Sequence, residues 1–314
     1  MKLSICLPTF NRSKMVINQL LFFQNEILDF ENKIEIIVSD NCSNNDSKHE
    51  LDNFRQENPF FELYIQEKNL GLIGNSIFLL EKANSEYIWF VGDDDLLEKG
   101  IIKKAFEIFK NHNDITYIFF NHDCFKNDIS NVINKFDLTE FNGYHKSFGD
   151  KMLKLLNYYG TINMFMTSNI YKRNVLIDGY RKYNRNPQID DFLLFSNICS
   201  SEGATFVVNK VYVHDNYTDS TWSNNARQIF SSSVPERIID IEKLQFSKND
   251  VKKSLFSFYY KGRGNFLHML LFSKNKNRFK IINYLGLKKS ILLFFNSILL
   301  TNLRLLKTLI NKIN

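Results

Sequence analysis

The sequence predicts an α/β fold: a mostly parallel, doubly wound sheet with helices on both faces, followed by a C-terminal helical extension. Three observations predict it. Short apolar, β-rich runs alternate with segments of helical periodicity through the first 120 residues. Polar and acidic residues collect where those runs end, the rim at which open α/β sheets bind ligands. Charge is divided: the first 247 residues carry 26 Lys/Arg and 33 Asp/Glu, a net −7, whereas from Lys248 onward 14 Lys/Arg face one acidic residue, Asp250, a net +13.

The elements follow in order. "LSICLPTF" is a first strand, running into Pro8-Thr9-Phe10-Asn11-Arg12, and residues 13–28 are helical. "KIEIIVSDN" is a second strand ending at Asp40, and the polar turn "NCSNNDS" leads into a helix up to Glu57. "FFELYIQ" is a third strand, and in "NLGLIGNSIFLLEKAN" Ile73, Ile77 and Leu80 share one helical face. "EYIWFVG" is a fourth strand, residues 98–111 a helix and "ITYIFFN" a fifth strand. Beyond residue 122 the pattern loosens, with helices near 150–159 and 189–201 and a late strand, "ATFVVNKVYVHDN", carrying His214.

Composition narrows the class. Apolar and aromatic residues make up 44% of 314 residues with four prolines, ample for a sizeable core. Cys6, Cys42, Cys124 and Cys199 lie far apart with no C-x-x-C pair, the pattern of free thiols in a reducing compartment and not of a disulfide frame or zinc site. The apolar run after Lys2 is too short for a secretory leader, so the expected location is cytoplasmic.

The densest chemistry is "YIWFVGDDDLLEKG", where an apolar strand runs into Asp93, Asp94 and Asp95. Three adjacent carboxylates repel one another unless something positive sits among them. One aspartate alone is readily a helix cap, here for a helix starting near Leu97. Three after a buried-looking strand point to a hard divalent cation, Mg²⁺ or Mn²⁺, bridging carboxylates and a substrate phosphate. Gly92, just before them, is where an approaching ligand needs a residue without a side chain.

"SICLPTFNR", "IEIIVSDNCSNNDS", "KNLGLIGN" and "YIWFVGDDDLL", in this order, resemble the nucleotide-binding half of family 2 glycosyltransferases of the GT-A (Rossmann-like) fold. The resemblance is close over roughly the first 110 residues, looser to about 225, and does not cover the tail. It implies an inverting, metal-dependent transfer of one sugar from a nucleotide-sugar donor to a glycan acceptor in bacterial O-antigen, capsule or surface-glycan synthesis. It also implies roles by position. Pro8, Thr9, Asn11 and Arg12 would line the donor site and Asp40 would hydrogen-bond the base. Asn69, Gly71 and Asn75 would lie beside the nucleotide. Asp93 would face ribose and Asp94 the metal, supported by Asp95. In "NPQIDDFLLF" the resemblance makes Asp191 the base that deprotonates the acceptor, with Asp190 beside it. Those two residues would also simply begin a helix. His214 in "YVHDNYTDSTW" is a metal or phosphate contact by the same resemblance, and Tyr217, Ser220 and Trp222 meet sugar or acceptor. Two alternatives stay open: a non-catalytic nucleotide-sugar-binding module, and a nucleotide-sugar nucleotidyltransferase, although the glycine-rich, lysine-bearing loop of the latter is missing after the first strand.

Domains are expected at 1–234 (nucleotide-binding half 1–120, acceptor half 121–234) and 235–314, a basic amphipathic extension. Its run "SILLFFNSILLTNLRLLKTLINKI" places Ser290, Ser297, Thr301, Arg304, Thr308 and Asn311 on one polar stripe of an otherwise apolar helix. Packing on the main domain or in a dimer is one reading. The other is an interfacial helix on an anionic membrane, on the inner face of the cell membrane, where a lipid-linked acceptor resides. No nucleic-acid partner is expected.

Overall fold

The structure, a computed structural model, describes residues 1–183, 188, 190–217, 226–244 and 246–313; the side chains of Glu31, Asp150 and residues 304–313 lie outside that description. The chain divides into two compact units, Met1–Phe148 with Asn163–Ser220, and Gly149–Ile162 with Thr221–Asn314.

The first unit is one mixed sheet. Its strands are β1 (Leu3–Thr9), β2 (Ile34–Asp40), β3 (Glu62–Ile65), β4 (Tyr87–Phe90), β5 (Leu96–Leu97), β6 (Ile115–Lys126), β7 (Asp128–Lys135), β8 (Gly143–His145), β9 (Asn169–Lys172) and β10 (Ala204–Asn216). Along the sheet they stand in the order β3-β2-β1-β4-β9-β6-β10-β5, with β7 on β6 and β8 on β10. The pairs β1–β2, β1–β4, β2–β3 and β6–β10 are parallel. Strand β9 runs antiparallel to both β4 and β6, closing the gap between the two parallel groups.

Strand periodicity puts helices on both faces. Trp89 points to one side and packs edge-on against Phe23 of α1 (Ser13–Glu26), with ring centroids 5.7 Å apart. Its neighbour Phe90 points to the other side and meets Phe192 of α7 (Asp191–Glu202) at 5.9 Å. Helices α2 (Asn45–Glu57), α3 (Gly71–Lys82), α4 (Ile101–Asn111) and α6 (Arg173–Arg181) complete the layers. In α3 the face read from the sequence is partly right: Ile73 and Leu80 are buried, Ile77 only half so, and Asn75 and Ser76 share the buried side.

The sequence misplaces one boundary. Residues 98–100 are not helical: Leu96–Leu97 form β5, Gly100 turns left-handed at φ 84°, and α4 begins at Ile101. The reason is tertiary. Leu97 and Leu96 pair with Val213 and His214 of β10, and the amide of Glu98 donates to the carbonyl of Tyr212 at 2.9 Å. The short strands β8 and β9 and the hairpin strand β7 left no periodic trace.

The second unit is helical. It contains α5 (Gly149–Tyr159), α8 (Ala226–Gln228), α9 (Val234–Asp240), α10 (Lys248–Tyr260), α11 (Phe266–Phe272), α12 (Asn275–Leu285) and α13 (Leu287–Ile313). Helix α5, distant in sequence from the others, is tied in at its C-terminal carbonyls. Arg263 donates to the carbonyls of Leu156 and Asn157 at 2.9 Å and to that of Tyr158, and Lys261 donates to Asn157 at 2.7 Å. Gly160, at φ +76°, leaves the space that the Arg263 stem occupies. Arg263→Ala is therefore expected to lower stability by about 1–3 kcal/mol, the usual worth of charge-assisted hydrogen bonds, with a shifted midpoint in urea melts.

Candidate active site

The ends of β1, β2 and β4 are built into one polar rim by their loops. Register places Pro8 beside Ser39 and Thr9 beside Asp40. After Thr9 the chain turns at Asn11, whose φ of 56° asparagine tolerates better than most residues. Asn11 then reaches the next loop: its amide donates to Ser43 Oγ at 2.7 Å, and its Oδ1 accepts from the amide of Asn44 at 2.8 Å. Asp40 is fully buried and closes its own turn, Oδ2 accepting from the Ser43 amide at 3.1 Å and Oδ1 from the Ser43 hydroxyl. Asn69 accepts from Asn41 at 3.1 Å and from the amide of Gly71, which starts α3 at φ +72°. Asn75 is buried with both ends on Ser39, accepting from its hydroxyl at 2.6 Å and donating to its carbonyl at 2.8 Å. Asn75 thus fastens α3 to the end of β2.

The three aspartates fare differently from one another. Asp93 is buried, accepting from Thr9 Oγ1 at 2.8 Å and from Arg12 Nη1 at 3.1 Å. Asp94 is more open and takes the same guanidinium nitrogen at 2.6 Å. The positive group that the sequence demanded is therefore, in the protein by itself, Arg12. Asp95 turns inward: its carboxylate accepts from Thr167 Oγ1, and its carbonyl from Gln19 Nε2. Thr167 Oγ1 also accepts from the Gly92 amide at 2.8 Å. This corrects the expectation for Gly92. A Cβ there would strike the Asp95 carboxylate and crowd Thr167, so the missing side chain makes room for Asp95 and not for a ligand.

Other predicted residues are placed less directly. His214 is held between two carboxylates, Asp123 Oδ1 at 2.6 Å from Nδ1 and Glu98 Oε1 at 3.1 Å from Nε2. The residue after it, Asp215, was missed by the sequence reading, yet its charge is felt at Asp95 and it feels that of Asp94. The clue was present: β10 ends in "HDN" just as β4 ends in aspartates. Asp190 stands at the N-cap position of α7 without a capping side-chain hydrogen bond, and Asp191 is the helix's first residue, both fully buried; Asp191 Oδ2 accepts from Tyr180 Oη at 2.8 Å and from the Gln188 amide at 3.2 Å. The Tyr217 amide donates to the carbonyl of Phe125, whereas Ser220 and Trp222 lie outside the described residues.

Burial and mutual repulsion shape the carboxylates. Asp93 is raised to about 6, first by burial and then by Asp94, against the pull of Arg12 and Thr9. Asp215 is likewise raised to about 6 by burial and Asp94, and burial, with Asp94 and Asp215, drives Asp95 up as well. Among the described residues no three His, Cys, Asp or Glu side chains form a ready-made metal cage. An all-oxygen set of one or two carboxylates nevertheless fits Mg²⁺ or Mn²⁺, which keep waters and complete their shells with substrate phosphates. Asp94 and Asp215 match that chemistry. Asp95 and His214 have Thr167, Asp123 and Glu98 as their partners.

These pKa values set an expected pH dependence. Asp93 and Asp215 ionise near 3.8 when unfolded and near 6 when folded, so their stabilising contribution is complete below about 4 and lost as pH rises through 6. A cation needs the ionised forms and reverses the trend. The rise in melting temperature on adding Mn²⁺ should be larger at pH 7.5 than at pH 5, and absent in Asp94→Ala.

Comparison with known proteins bears on the family and the fold. The sequence model described as Glycosyl transferase family 2 matches residues 4–178. The chain is 24% identical over 270 residues to the GalNAc(5)-diNAcBac-PP-undecaprenol beta-1,3-glucosyltransferase of Campylobacter jejuni, covering 82% of this chain and 80% of that protein. It is 36% identical over 100 residues to the abequosyltransferase RfbV of Salmonella typhimurium, covering 32% of this chain and 30% of the relative. Its fold is similar to that of S. aureus TarS residues 1–349 in complex with UDP-GlcNAc, with a TM-score of 0.62 and 18% identity over 91% of this chain and 80% of that one. With a mixed GT-A-like sheet, an acidic rim at its strand ends and a family match across more than half its length, the chain belongs to glycosyl transferase family 2.

Proposed function

We propose that this glycosyltransferase moves one sugar, with inversion, from a nucleotide-sugar donor to a lipid-linked glycan during assembly of a bacterial surface polysaccharide such as O-antigen or capsule. The observation that carries the reading is the carboxylate rim of Asp93, Asp94 and Asp215 with Arg12 among it. The name of the Campylobacter relative specifies an undecaprenol-linked acceptor, which supports the acceptor class, and that of the Salmonella relative supports sugar transfer.

In this proposal Pro8, Thr9, Asp40 and Asn69 border the base and ribose, and Asp93 takes a ribose hydroxyl. Asn11 and Asn75 keep the loops in position, and Gly71 lets α3 start close to the nucleotide. Asp94, with Asp215 beside it, would hold Mg²⁺ or Mn²⁺, which when bound neutralises charge on a departing diphosphate. Arg12 already pairs with Asp93 and Asp94 and is suited to follow the diphosphate charge as it enters. Asp191 is the general base, kept in one orientation by Tyr180. The acceptor oxygen bonds to the anomeric carbon as that carbon's bond to the diphosphate oxygen breaks. The electron pair leaves with the nucleoside diphosphate, and the acceptor proton passes to Asp191. Attack from the face opposite the leaving group inverts the centre. An anionic membrane surface, met by the basic C-terminal tail on the inner face of the cell membrane, completes the proposal.

The test is a split between binding and turnover. Asp191→Asn should leave donor affinity nearly unchanged in calorimetry and lower kcat by roughly 10²-fold or more. An equal loss from Asp190→Asn, with Asp191→Asn active, would move the base by one residue. Full activity in EDTA would remove the metal from the scheme.

A further inference from the structure

Helix α13 is amphipathic the wrong way round for a protein in water. The described start of the polar stripe faces inward: Ser290 and Ser297 are 7% and 4% exposed, alternating with fully buried Leu293. Ser290 Oγ satisfies itself on the carbonyl of Gly286 at 3.0 Å, and Thr301 Oγ1 on that of Ser297 at 2.8 Å. These small residues let α13 lie close against α10, α11 and α12. Its outer face carries Leu287, Ile291, Leu292, Phe295, Leu299 and Leu303, each between 47% and 72% exposed. Their spacing keeps them on one side of the helix. A row of six large apolar residues is more than isolated soluble proteins ordinarily leave bare, and marks a contact surface.

The geometry points to an anionic lipid surface as the occupant: we propose that α13 lies flat in the interfacial plane, its outer row among the acyl chains and its serine face on the rest of its unit. Charge selects lipid over a second copy of the chain. Exposed Lys274, Lys276 and Lys288 stand in or beside α12 and α13, and no acidic residue follows Asp250. Two copies meeting through this surface would set like charges together, whereas phospholipid anions complement them. Depth is limited by polarity and by the break between α12 and α13. No single helix among the described residues is long and apolar enough to cross a bilayer; α12 and Leu287–Leu303 of α13 have the length and composition only together, and they are bent by 111° at the break between them. At 27 residues α13 is about 40 Å long, typical of helices that lie in the interface. The proposal takes its purpose, but none of its physics, from the lipid-linked acceptor proposed above.

The experiment uses the full chain and vesicles of phosphatidylcholine with or without phosphatidylglycerol, read by co-sedimentation. Binding is expected only with phosphatidylglycerol and should weaken as salt rises. Lys276→Gln with Lys288→Gln should lower partitioning more than about tenfold, and Phe295→Ser roughly 10- to 100-fold, from the usual worth of a surface charge and of a buried phenyl ring. Phe295→Trp should bind as the unaltered protein does and gain blue-shifted emission quenched by brominated lipid. Donor hydrolysis without acceptor should be the same in all of them, so a failure here is distinguishable from a failure of the catalytic reading. Indifference to anionic vesicles at low salt would overturn the proposal. So would emission gained by Phe295→Trp over that of Trp89 and Trp222 that brominated lipid does not quench, or a dimer in sedimentation that Phe295→Ser dissociates.

Discussion

Three consecutive carboxylates stand at the end of β4 because each is given a different environment. Asp93 has a hydroxyl and shares one guanidinium nitrogen of Arg12 with Asp94, and Asp95 has an inward position against Thr167. The surrounding chain is arranged around this separation. Strand β1 delivers Thr9 and, one turn later, Arg12. Helix α1 delivers Gln19 to the Asp95 carbonyl, and the segment before β9 delivers Thr167. Gly92 supplies the space that makes the inward turn possible. Remove the separation and the repulsion among neighbours returns, strengthened by burial.

That arrangement also explains how the rim can serve chemistry. A guanidinium bridging two carboxylates balances their charge without filling the site permanently, since Asp94 and Arg12 both retain solvent contact. A ligand that brings its own anion and cation can rearrange those pairings, with Asp93 and Asp95 fixed from behind by neutral hydroxyls. The raised ionisation of Asp93 and Asp215 follows from burial and from Asp94 beside them.

Much of this was legible in the sequence, and what was not has a physical cause. Strands β1, β2 and β4 announced themselves because parallel strands buried on both faces are continuous apolar runs, and their terminal polar residues marked the rim. Helices α5 and α7 were found within two residues of their ends because each is a long segment rich in apolar residues. Strand β9 was invisible because "NIYK" is four residues whose state is decided by the vacancy between β4 and β6. The inward turn of Asp95 and the neighbourhood of Asp215 depend on partners more than 70 residues away, which no local pattern encodes. Ser290 and Ser297 of the α13 stripe share one buried side, and periodicity cannot say which side of a helix faces the protein.

The pairing of β5 with β10 has a consequence for how the molecule is made. His214 and Glu98 are 116 residues apart in sequence, and the turn that carries the aspartates is closed only when Val213 and His214 arrive. During synthesis the first four strands can assemble as they emerge, since β1, β2, β3 and β4 pair with one another. The acidic turn then waits, its outer edge unpaired, until β10 has left the ribosome and settled beside β6. A chain interrupted before residue 213 would hold a nearly complete sheet without a closed aspartate turn, so the last strand to join is also the one that finishes the site.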